Sequence, residues 1–263
     1  PDLEVIVVDN QRRIIPAALN VAVAAAGGEV IIRLDAHAVP DEQYVERSVR
    51  NLLEGKGDNV GGIWLIQPGS SGWIGRSIAA AAGHPFGVGD ALYRYASEPG
   101  LVDTVPFGAF FRATFERIGK FDESLLANED YEFNVRLRQA GGRIYLDPAI
   151  CSKYHARPDL ASLARQYWRY GYWKFRMLRR YPGTLRWRQA LPPLFVAGLA
   201  ALILAAPFFW LARAALGLAA ALYLLVLIAG SLPPALRSRD LRLALGIPLA
   251  IMTMHFSWGS GFL

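Results

Sequence analysis

Two almost unbroken apolar runs constrain this chain more than any other feature. Residues 191–211 read LPPLFVAGLAALILAAPFFWL and residues 214–233 read AALGLAAALYLLVLIAGSLP, parted by little more than Arg213. About 20 apolar residues suffice to cross a hydrocarbon core ~30 Å thick. Helices of soluble domains keep one polar face, and these runs keep none. Both are expected to be transmembrane helices. Residues 241–263 form a third apolar run, interrupted by Arg242, His255 and several Gly and Ser.

Charge divides the chain at the same place. The whole sequence has 28 Lys+Arg against 22 Asp+Glu. Residues 159–263 hold 12 of the basic side chains and only 2 of the acidic ones. Eight basic residues lie between Arg165 and Arg188 with no acid among them, directly before the first apolar run. Basic flanks favour the cytoplasmic side. The arrangement therefore predicts an inner-membrane protein with residues 1–190 in the cytoplasm. It also excludes a nucleic-acid reading of the high pI, because the part outside the membrane region is itself acidic. One cysteine, Cys151, excludes a disulfide framework and a multi-cysteine zinc site.

Before residue 159 the chain alternates strand-like and helix-like segments. Strands are expected at 3–8, 30–34, 61–66, 102–111 and 143–146. Helices are expected at 17–26, from Pro40 to about 54, at 78–82 and at 128–140, with a Gly- and aromatic-rich loop at 85–95. Such alternation predicts an α/β fold around a mainly parallel sheet. Ligands then gather at the carboxyl ends of the strands.

Three constellations carry possible chemistry. Asp35-Ala36-His37 follows a strand, and alternate residues there point the same way, so Asp35 and His37 can converge on one divalent cation. A strand-end Asp beside a surface His is the plainer alternative. Asn128-Glu129-Asp130 opens a helix, where acids either complement the dipole or include a general base. Glu132 is expected on the solvent face. Gln166, Arg169 and Tyr170 share a face of a basic, aromatic helix, placed either to grip a diphosphate or to lie on anionic headgroups. His155 is either a structural residue or a metal ligand. GxGxxG, P-loop and GxSxG signatures are missing.

Taken in order, DAH, VDTVPFGAFFRATFERIGKFDESLLANEDYEFNVRLR, QYWRY and the apolar runs resemble membrane-associated family-2 glycosyltransferases of the GT-A fold. Segments RLDAHA, PFGVG and MHFSWGSGF resemble the bacterial succinoglycan-biosynthesis glucosyltransferases in particular. The resemblance implies an inverting transferase that moves a sugar from a nucleotide-sugar donor, a UDP-sugar, to a lipid-linked or polysaccharide acceptor. It implies a divalent metal, Mg²⁺ or Mn²⁺, at Asp35, His37 and His155. It assigns donor diphosphate contacts to Asp35, Arg169 and Gln166, acceptor contacts to Gly108, Ala109, Glu129 and Tyr170, and the general base to Asp130. Tyr170 stands where the family's QxxRW motif has Trp.

The family's opening strand and its VVDDGSTD strand are not found. Residues 3–8 are read as the third strand of the domain. The expected organisation is thus a partial, N-terminally truncated GT-A domain at 1–158, a basic interfacial region at 159–190 and transmembrane helices at 191–263. Such a fragment is expected to be inactive by itself. The competing class is a non-catalytic membrane scaffold or scramblase that binds lipid-linked sugar.

Overall fold

The computed structural model describes residues 3–35 and 38–263. Its chain divides into two compact units. The first comprises Pro1–Leu65 and Ala91–Tyr154, and the second Ile66–Asp90 and His155–Leu263.

The first unit is a sheet with helices against it. Its strands are β1 (Val30–Ile32), β2 (Val39–Pro40), β3 (Asn59–Gln67), β4 (Gly100–Leu101), β5 (Ala109–Phe111) and β6 (Ile144–His155), with β3 and β6 running on into the second unit. Its helices are α1 (Ile15–Ala25), α2 (Tyr44–Leu53), α5 (Arg112–Ile118) and α6 (Glu129–Gln139). Among the described residues the strand order is β1-β5-β3-β6-β2, with β4 added on β6.

Strand alternation sorts the core. On β5, Ala109 faces Tyr44, Leu52, Val60 and Ile150, and Phe111 packs on the same cluster. Phe110 faces the other way, into Phe121 and Phe133. Phe110 and Phe133 meet edge to face at 5.5 Å, which suits the ring quadrupoles. The short β5 thus fixes α2 on one face of the sheet and α6 on the other.

Four expectations change. The β1–β5, β2–β6, β3–β5 and β4–β6 ladders all run antiparallel, where a mainly parallel sheet is expected. Alternation of strands and helices sets the layers, but not the direction of a strand whose partner lies several elements away. Residues 3–8 form no strand: Leu3, Val5 and Val7 are exposed, and no described strand pairs with them. The helix expected from Pro40 begins at Tyr44, because Val39–Pro40 pairs with β6 instead. The expected loop at 85–95 contains a helix, α4 (Pro85–Val88), and a 3-10 turn at Leu92–Arg94.

The second unit is helical. It contains α3 (Trp73–Ala82), α4, α7 (Leu160–Arg180), α8 (Trp187–Ala205), α9 (Trp210–Arg237) and α10 (Leu243–Phe262). Helices α8, α9 and α10 are each long and apolar enough to cross a membrane. Helices α8 and α9 form an antiparallel hairpin, with Phe195 and Tyr223 rings 4.7 Å apart. The lower apolar content of α10 follows from its packing. A Cβ on Gly261 would sit 2.1 Å from the Trp168 carbonyl oxygen of α7, and one on Gly246 would sit 2.0 Å from Ser77 Oγ of α3. Glycine lets these helices touch along their backbones. His255 is held by the Phe86 carbonyl at 2.8 Å and the Tyr223 hydroxyl at 2.9 Å.

Candidate active site

Strand β1 ends at Ile32, and Arg33 and Asp35 follow it on alternate positions. The backbone carries the edge one residue further, since the Arg33 N–H donates to the Gly108 carbonyl at 3.0 Å. Ile32 lies opposite Ala109 in the β1–β5 register. Gly108 and Ala109 are thereby set beside the end of β1.

The approach to β5 is conformationally unusual. Phe107 has φ +64 and Gly108 has φ +98. A bulky side chain at positive φ is rare and costs on the order of 1–3 kcal/mol. At Gly108 a side chain is excluded twice, because a Cβ would also stand 2.4 Å from Asn59 Oδ1. Asn59 belongs to a buried polar chain. Its amide donates to Asn134 Oδ1 at 2.7 Å, and Asn134 donates to Thr104 Oγ1 at 2.9 Å. This chain ties β3, α6 and the segment before β5 together.

Helix α6 starts from Asn128 in a left-handed conformation, φ +66, with no side-chain cap. Its first turn is acidic: Glu129, Asp130 and Glu132. The three carboxylates have three different surroundings. Glu132 is buried, not on the solvent face as expected, and it is gripped by Arg136 at 2.5 and 2.9 Å. Arg136 in turn donates to the Ile118 and Lys120 carbonyls, so this pair is a structural brace. Glu129 is buried as well. Asp130 is half-buried, and its carboxylate accepts its neighbour Tyr131 N–H at 2.7 Å.

Arg33 joins the two edges. Its side chain is only 9% exposed. Nε donates to Asp35 Oδ1 at 3.1 Å, and Nη2 reaches Glu129 Oε1 at 3.3 Å. Burial disfavours the guanidinium charge, yet Asp130, Asp35 and Glu129 together outweigh it and hold its pKa above the ordinary value. Glu129 is pushed up to about 7, first by burial and then by repulsion from Asp130, with Arg33 opposing both. The sequence reading gave Arg33 no role. Its signal was present, since Arg and Asp two apart at a strand end point the same way.

One cation against three carboxylates leaves a negative edge. Asp35, 30% exposed, is a hard oxygen donor of the kind that holds a divalent ion together with substrate phosphates and water. Asp35 supplies one such oxygen on this edge. His37 lies outside the described residues. His155 is exposed at the end of β6 and opens the second unit. Among the described residues no three His, Cys, Asp or Glu side chains are grouped to hold a metal. Gln166, Arg169 and Tyr170 lie on α7 of the second unit. Gln166 Nε2 donates to the Tyr170 hydroxyl at 3.0 Å, so these two side chains share a face.

Comparison with known proteins decides the class. The model of glycosyl transferase family group 2 matches residues 30–232. The chain is a family-2 glycosyltransferase. This glycosyltransferase is 31% identical to the succinoglycan biosynthesis protein ExoA of Rhizobium meliloti (strain 1021), across 99% of this chain and 77% of that protein. It is 25% identical to a dolichyl N-acetyl-alpha-D-glucosaminyl phosphate 3-beta-D-2,3-diacetamido-2,3-dideoxy-beta-D-glucuronosyltransferase of Methanococcus voltae, across 96% of this chain and 75% of that one. Among solved structures, S. aureus TarS superposes with a TM-score of 0.38 at 16% identity, covering 87% of this chain and 41% of TarS. That superposition is too loose to add to the assignment. The glycosyltransferase thus combines an α/β catalytic fold with three C-terminal helices long and apolar enough for a membrane.

Proposed function

We propose that this glycosyltransferase moves a sugar, with inversion, from a nucleotide-sugar donor to a lipid-linked or glycan acceptor at the cytoplasmic membrane face, in exopolysaccharide synthesis. The observation that supports this most is the pairing of two carboxylate edges through Arg33: Asp35 at the end of β1 and Glu129-Asp130 at the start of α6. The half-buried Asp130 is the proton acceptor. An acceptor hydroxyl gives its proton to Asp130, and its oxygen attacks the anomeric carbon. The bond from that carbon to the diphosphate oxygen breaks on the opposite face, so the configuration inverts. When bound, a divalent cation, Mg²⁺ or Mn²⁺, offsets the charge that develops on the leaving diphosphate. Asp35 would hold it, with His37 and His155 as further candidates. Arg169 and Gln166 are proposed for the diphosphate, and Gly108, Ala109, Glu129 and Tyr170 for the acceptor. The names of the succinoglycan and dolichyl-phosphate relatives support a glycan or lipid-linked acceptor. The basic stretch 165–188 supports the cytoplasmic side.

The test uses detergent-solubilised protein, Mn²⁺, a panel of nucleotide sugars and a bacterial lipid extract. Asp130→Asn should retain UDP binding and turn over roughly 10²–10⁴ times more slowly. A variant that keeps more than half of the turnover removes Asp130 from the mechanism. A product anomer matching the donor's, seen by NMR, would rule out inversion.

A further inference from the structure

We infer that Arg33 is a positioning residue: its guanidinium clamps strand-end Asp35 to Glu129, fixing the donor edge and the base-bearing turn of α6 at one spacing. The inference rests on the glycosyl-transfer reading of this edge and deepens it, giving Arg33 a positioning part in that reaction.

The geometry carries it. Asp35 lies on a segment with little regular structure, three residues past the last residue of β1. Glu129 is the first residue of α6, after an Asn128 that supplies no side-chain cap. The backbone bonds at each end are local: the Ala38 N–H donates to the Asp35 carbonyl at 2.9 Å, and the Glu132 N–H to the Asn128 carbonyl at 2.9 Å. Arg33 and Glu129 are 96 positions apart in the sequence, so local structure cannot hold them together. The guanidinium does so with Nε and Nη2 both at 3.1 Å from Asp35 Oδ1, and Nη2 also at 3.3 Å from Glu129 Oε1. A planar fork is suited to this, because fixing one carboxylate also fixes the direction of the other. The arrangement is also buried, with Arg33 and Glu129 side chains 9% and 6% exposed. Removing one member of such a pair strands the other's charge. The Arg33 backbone is itself anchored to Gly108, so the same residue also registers the strained approach to β5. Helix α6 is braced independently through Glu132 and Arg136. Losing Arg33 should therefore free the first turn of α6 without unfolding the helix.

The experiment compares Arg33→Met, Arg33→Lys, Glu129→Gln and the Arg33→Met/Glu129→Gln pair in the full chain. If the clamp positions, Arg33→Met lowers kcat at least 30-fold while the donor KM stays within threefold. Arg33→Lys should recover little, since one ammonium cannot replace the fork. The double variant should lose no more than twofold beyond Arg33→Met, because both changes break one unit. A readout without catalysis accompanies these. Hydrogen exchange should quicken together in peptides spanning 33–38 and 128–132 and stay unchanged in 144–155. If Arg33→Met fails to fold, Arg33→Lys and Glu129→Gln carry the same exchange test. Wild-type exchange in both segments, or kcat within threefold of wild type, overturns the clamp. So do losses that multiply in the double variant. Absence of transfer by the wild type with every donor would instead sink the catalytic reading, and the exchange measurement would still judge the clamp.

Discussion

Glu129 and Asp130 are chain neighbours with the same chemistry and different surroundings, and pH should separate them. The folded Glu129 binds its proton more tightly than an unfolded glutamate, about 7 against 4.5. Its contribution to stability is full below 4.5 and is lost as pH rises toward 7, where the buried group must ionise. Relative to Glu129→Gln, the wild type should therefore lose melting temperature between pH 4.5 and 7. Parallel melting curves across that range would show that Glu129 is already ionised when folded. At this scale the sequence placed Asp35 just past a strand and Asp130 at a helix start, where the structure has them, because local pattern reveals such positions. It did not show the contact between Arg33 and Glu129, which lie 96 residues apart. Glu132 was misread as solvent-facing although Arg136, four residues on, was the available sign of a brace.

Strands β1 and β5 pair beside the candidate site, and that junction allows a sharper substitution test. Gly108 has both positive φ and no room for a Cβ, whereas Gly55, at φ +67, has nothing within 4 Å of an added Cβ. Gly55→Ala should cost only the left-handed backbone penalty, about 1–2 kcal/mol. Gly108→Ala adds the clash with Asn59 and so disturbs the Asn59–Asn134–Thr104 chain. Urea unfolding should show the larger loss at Gly108, and turnover should fall there alone. Equal losses would mean that Asn59 moves aside freely. Elements were legible where the sequence marks their first turn, as Pro16 does in α1 and the acids Glu129 and Asp130 do in α6. They were not legible where pairing decided the outcome. Residues 3–8 have the composition of a strand but no described partner, and Val39–Pro40 joined β6 rather than the following helix.

The three apolar helices of the second unit pass the same compositional test, yet their packing separates them. Of their most apolar stretches, 6% is buried in α8, 11% in α9 and 44% in α10. The α8–α9 hairpin places the start of α8 and the end of α9 at one end of the pair. Helix α10 begins at Leu243, six residues after α9 ends at Arg237. Its last turns return to that same end: Trp258 Nε1 donates to the Gln189 carbonyl at 3.1 Å, in the first turn of α8. A Cβ on Gly259 would lie 2.7 Å from the Pro192 carbonyl oxygen. Both ends of α10 are thus held beside the base of the hairpin, with α7 and α3 covering it. Hydropathy could not reveal this, because a helix covered by lipid and one covered by other helices need the same apolar surface. The prediction is that α8 and α9 cross the membrane while α10 leaves its two ends on one side. In a Cys151→Ser background, Ser238→Cys and Ser260→Cys should react with a membrane-impermeant maleimide from the same side, and Phe208→Cys, between α8 and α9, from the other. If Ser260→Cys is labelled together with Phe208→Cys, α10 crosses as a third span.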